Sequence, residues 1–150
     1  MANEKWTQLH TQLLELMKRE IEIMRQLLGN LHQEELFILR KEINYWNQLM
    51  EERAHLISQL SDLRGGRLSA TESLESTHPL CDEDENSWEI LALRDQILAL
   101  LDRMNLQASR NEMLTQLAHH QETAQPQMQQ KRKISIATQT LDDYKCEDDK

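Results

Sequence analysis

The strongest constraint on this chain is a run of apolar residues at alternating steps of three and four that extends from Trp6 to Leu63. Leu13, Met17, Ile21, Met24, Leu28 and Leu31 lie on one side of a 3.6-residue helix, and no proline interrupts them. Leu39, Ile43, Trp46, Met50, Ile57 and Leu60 form a second such run, with Arg53 filling the step between Met50 and Ile57. A strand would need alternation at every second residue, so this spacing predicts helices that bury a stripe. Only 3 Gly and 2 Pro occur in 150 residues, too few turn formers for a many-stranded sheet. The aromatic share is 4%, which suits thin helical packing better than a thick core.

Between the two runs the phase slips, because Leu28 to Leu39 spans eleven residues. A helix can absorb that step by a change of supercoil, yet Gly29-Asn30 is also a natural stop. The alternatives are one rod of about 58 residues, roughly 87 Å long, or a hairpin turning near Gly29. Good helix formers on both sides of Gly29 favour the continuous or gently kinked rod over about residues 5–64. Gly65-Gly66 after Arg64 is read as its end.

Residues 67–86 are rich in Ser, Thr and acids and contain Pro79, so 65–86 reads as an acidic linker. That span carries one Arg against six acids, hence −5 of the total net charge of −9. Asn86 followed by Glu89 has the form of a capping box opening a further helix over about 87–121. Its apolar side takes Trp88, Leu91, Ile97, Leu98, Leu101, Met104, Met113, Leu114 and Leu117, with Ala108 and Asn111 weakening the middle. Beyond it, Pro126 and a polar, Gln-rich composition mark 124–150 as a disordered tail. The expected fold is all-α: long antiparallel helices in a coiled-coil-like hairpin or three-helix bundle over residues 1–123.

Function classes narrow on charge and chemistry. An acidic chain lacks the basic surface that nucleic acid or an anionic membrane requires. No apolar run approaches the roughly 18 residues of a membrane span. Cys81 and Cys146 build neither a disulfide framework nor a paired metal spacing, and MANEKWTQLH has no signal-peptide character. A cytoplasmic protein is expected. His78 and Cys81 have no second ligand pair, the acids at 82–85 lack the central glycine of a calcium loop, and no phosphate-binding loop exists. The expectation is therefore no catalytic residue, no metal and no cofactor. Leu27, Leu36, Phe37, Ile38 and Leu49 widen the apolar face beyond one seam, so a wide-faced helix needs a second neighbour. A protein partner is expected, either an amphipathic helix or another coiled-coil chain, including a second copy.

Two stretches carry a resemblance. The first-half segment LLELMKREIEIMRQLLGN, the run LHQEELFILRKEINYWNQLMEERAHLISQL with its Glu52-Arg53 pair, and the later LLDRMNLQASRNEMLTQL resemble the FlgN group of flagellar and type III export chaperones over about residues 10–120. In the last segment Asn111 followed by Leu114 is similar to that family's helical Asn and leucine one turn on. The resemblance implies a cytosolic chaperone that holds the amphipathic helix of a secretion substrate and delivers it to the export apparatus. It places substrate contacts on Trp88, Leu98, Leu101, Met104, Asn111 and Leu114, with packing on the first helix as the competing use. A second resemblance sits in the tail, where Thr138-Gln139-Thr140 looks like the anchor bound by a dynein light chain. That alternative makes the chain a coiled-coil adaptor or scaffold.

Overall fold

The computed structural model describes residues 2–77 and 85–121. They form three helices: α1 (Ala2–Arg40), α2 (Trp46–Thr77) and α3 (Glu85–Gln121). No strand occurs among the described residues. The expected all-α architecture is the one observed, as a three-helix bundle.

Helix α1 is the hub. It packs along both α2 and α3, which scarcely touch each other. Its buried positions His10, Leu13, Met17, Glu20, Met24, Leu27, Leu31 and Glu34 repeat the three-four step for six turns. Ile21 and Asn30 widen that stripe so that it serves two neighbours. Each outer helix offers a narrower seam, Leu49, Arg53, Leu56, Leu60, Arg64, Arg67 and Leu74 on α2, and Ile97, Leu101, Met104, Ala108, Asn111 and Thr115 on α3.

Cross-links fix the directions. Asn30 meets Arg53 and Glu20 meets Arg67, so numbers fall on α1 as they rise on α2, and the pair is antiparallel. Asn111 meets Leu31 on the other side. From that link an antiparallel α3 would carry Ile90 and Ile97 past the end of α1 at Arg40, yet both are buried and α2 scarcely touches α3, so α3 runs parallel to α1. The spacing agrees: Glu85 lies about 39 Å before Asn111 along the axis, which brings it level with the first turns of α1.

The break between α1 and α2 falls at Lys41, a correction to both the rod over 5–64 and the kink at Gly29. Lys41 has φ 57° and is the described residue with a left-handed backbone. Its amide donates to the Ile38 carbonyl (3.3 Å) and the Glu42 amide to the Phe37 carbonyl (3.0 Å). This is the paired Schellman closure, made here without glycine. Gly29 stays helical because Asn30, the supposed stop, is buried and its amide group is taken up by α2.

Gly65 and Gly66 likewise lie inside α2, and the expected linker from 65 gives way to helix as far as Thr77. Two interior glycines cost a helix about 2 kcal/mol together. Against that stands the seam beyond them: Arg67 bonds Glu20, and Ala70 and Leu74 are buried. Full burial of one leucine alone is worth about 1.5–3 kcal/mol, so packing outweighs propensity. The glycines remain a weakness. A Cβ at Gly65 would meet open space, and one at Gly66 would lie in ordinary contact with Leu16 at 3.6 Å. Replacing both with alanine should raise the unfolding free energy by about 1–2 kcal/mol, read as a higher urea midpoint at unchanged slope.

Candidate protein-binding surfaces

Two polar clamps cross the α1–α2 seam. At the turn end, the Asn30 side-chain amide donates to the Leu49 carbonyl (3.1 Å), and Arg53 Nε donates to Asn30 Oδ1 (2.7 Å). Arg53 Nη2 also lies 2.6 Å from Glu34 Oε2, a contact of opposite charges rather than of aligned hydrogen-bond geometry. Both side chains are almost wholly buried. Burial pulls the Arg53 guanidinium below its ordinary pKa, and the Glu34 carboxylate opposes that shift. One and a half turns of polar core are thus tied to a single register. Further along, Arg67 Nε donates to Glu20 Oε1 at 2.8 Å, with the glutamate fully buried.

The α1–α3 seam also holds a buried polar link. The Asn111 side-chain amide donates to the Leu31 carbonyl (2.8 Å), and Gln107 donates to Asn111 Oδ1 (2.9 Å). At its rim, Arg110 pairs with Glu35. At the opposite end of α1, the Trp6 ring stacks on His10 with centroids 4.9 Å apart.

These placements bear on the residues singled out from the sequence. Leu101, Met104 and Asn111 are buried against α1. Leu98 and Leu114 are half-buried, and Trp88 is exposed. The structure therefore brings Leu101, Met104 and Asn111 into the intramolecular seam, and in the closed bundle they face α1. Thr138, Gln139 and Thr140 lie outside the described residues, as do His78 and Cys81. Of the residues read as a second buried stripe, Leu39 and Ile43 are exposed, whereas Leu60 is buried. The break at Lys41 resets the phase, so the α2 seam keeps Arg53 and Leu60 but runs through Leu49 and Leu56 in place of the half-buried Met50 and Ile57. Arg53 carried the one sequence hint, a charged residue standing on the stripe; Glu20 and Glu34 gave a fainter one, acids at three-four spacing with buried leucines.

What remains outside the core is apolar in two places. Around the α1–α2 turn, Leu36, Leu39, Ile43 and Tyr45 are exposed, Ile43 to 81%. Phe37, half-buried, tilts against the Tyr45 ring at 6.1 Å. The second place is the outer face of α3. Leu68 on α2 is exposed singly, and a shallow groove of about 540 Å³ between α1 and α2 is lined by charged side chains, Glu15, Lys18, Arg19, Glu22 and Asp62 among others. Among the described residues, no group of three His, Cys, Asp or Glu side chains converges to hold a metal, and no helix is long and apolar enough to cross a membrane.

Fold and surface together define a three-helix bundle with ion-paired seams. No family model, curated protein or solved structure matches the chain.

Proposed function

We propose that this chain is a non-enzymatic binding protein that receives an amphipathic helix of a protein partner on the apolar turn between α1 and α2. The observation that carries the reading is the exposure of Leu36, Leu39, Ile43 and Tyr45 within ten residues of one another, the densest stretch of exposed large apolar side chains among the described residues. Clustered apolar exposure of this kind marks an interaction site, whereas scattered single leucines do not. Arg40 and Lys41 stand beside the cluster, so the complementary partner carries acids along the border of its apolar stripe.

The finer reading, a cytoplasmic chaperone for a flagellar or type III export substrate, rests on the resemblance of the helical segments to the FlgN group. A substrate helix that self-associates when exported would be shielded by such a surface. The test is calorimetric titration of the full chain with the terminal helical peptides of flagellar export subunits. One-to-one binding that falls about tenfold or more in Ile43→Asp supports both readings. Binding that ignores Ile43→Asp removes the turn as the site, and absence of binding to every such peptide removes the export role.

A further inference from the structure

The outer face of α3 has an internal symmetry that nothing in the bundle requires. Core positions of α3 run through Ile97, Leu101, Met104, Ala108 and Asn111. On the opposite side, Ala92, Ala99, Leu106 and Met113 recur every seven residues, and all four are exposed, Leu106 to 72% and Met113 to 64%. The charged residues on the same side are Asp95, Asp102, Arg103 and Arg110, also exposed. At 100° per residue these eight positions fall within an arc of about 100°, a stripe along about six turns.

We propose that this stripe is the contact between two copies of the chain, paired antiparallel about a two-fold axis between Asp102 and Arg103. Such an axis pairs positions whose numbers add to 205. Ala99 then faces Leu106 of the second copy, and Ala92 faces its Met113, so each large side chain meets a small one. Asp102 faces Arg103, and Asp95 faces Arg110, which pairs with Glu35 of its own chain yet keeps 64% of its side chain exposed, so each acid meets a base. Further out, Leu117 falls opposite Trp88, both more than half exposed. Every pairing is made twice because the contact is isologous.

The register is selective. A parallel arrangement of the same stripe would set Asp102 against Asp102 and Arg103 against Arg103, which is repulsive at each level. The sizes also decide the matter, since Ala against Ala and Met against Met would leave gaps and collisions along one line. An unrelated partner would not need α3 to be complementary to its own reverse. The pairing is independent of the α1–α2 turn and of the partner helix proposed there.

Light scattering on the full chain across a concentration series tests the proposal. The expected result is a mass that doubles as concentration rises. Leu106→Asp, at a solvent-exposed position that leaves the bundle intact by circular dichroism, should hold the chain monomeric. Asp102→Arg should weaken dimerisation by about tenfold or more by placing like charges across the axis, and so should Arg103→Asp. The exchanged double variant D102R/R103D should recover the wild-type constant to within about threefold, because the swap restores both pairs. A chain that stays monomeric to about 1 mM overturns the proposal. So does a dimer indifferent to Leu106→Asp, or a double variant no better than the singles.

Discussion

Replacing Arg53 alone with methionine is expected to lower the unfolding free energy by about 3–5 kcal/mol. The side chain is buried between Glu34 and Asn30, and its removal leaves the Glu34 carboxylate in the core without its cation. Asn30 Oδ1 would lose its donor at the same time. An unfolding curve in urea should show the midpoint fall sharply with little change of slope. The triple replacement N30L/E34L/R53M should recover most of that loss. Desolvating an ion pair costs about as much as the pair returns, and an apolar substitute of similar volume has no such cost. Recovery would show that the clamp contributes register more than stability. Failure of the triple variant to recover would show that the cluster is a net stabiliser.

Truncating Met104 to alanine should cost about 2–5 kcal/mol, while the same change at Leu106 should stay within about 0.5 kcal/mol in the monomer. The two residues are neighbours on one helix and nearly equal in size, yet Met104 is fully buried and Leu106 is 72% exposed. Met104 closes the α1–α3 seam, so its loss leaves a cavity that α1 and α3 fill only in part. Thermal or urea unfolding at low concentration measures the difference. Equal costs at the two positions would contradict the orientation of α3 on α1. The result also bears on how a partner is met: a side chain whose truncation destabilises the isolated bundle is engaged internally before any partner arrives.

How much of this was legible in the sequence varies with the element. The α1 stripe through Leu13, Met17, Ile21 and Met24 follows from spacing alone, and all four are buried. The α3 expectation over 87–121 lies within two residues of the observed Glu85–Gln121. The second run held only in part because periodicity carries no memory across a break. Leu39 lies on the exposed side of α1 and Ile43 in the turn, and beyond Lys41 the phase is set afresh, so Arg53 and Leu60 stay buried while Leu49 and Leu56 join them. Glycine misled twice for a related reason. Gly29, Gly65 and Gly66 are permissive rather than compulsory stops, and buried neighbours such as Asn30, Arg67 and Leu74 hold the helix through them.

For the surfaces, the resemblance groups Trp88, Leu98, Leu101, Met104, Asn111 and Leu114 as one set of contacts, and nothing in the spacing along a helix says what covers each of them. Tertiary structure divides them: Leu101, Met104 and Asn111 lie beneath α1, and Trp88 lies on the exposed side. The exposed stripe of α3 was harder to see, since its alanines and charges give little apolar signal until the core side is known.

By itself the sequence determined the secondary structure class and the presence of a buried stripe on α1. Both depend on interactions between residues three and four apart, which a linear chain displays directly. Only the tertiary structure decided where the chain turns, which charges are sequestered, and which leucines are left on the surface. Those outcomes depend on contacts between residues such as Glu20 and Arg67 or Leu31 and Asn111, far apart in the chain. Local propensity at Lys41, Gly29 or Gly65 is worth about 1 kcal/mol, and burial of a single leucine outweighs it.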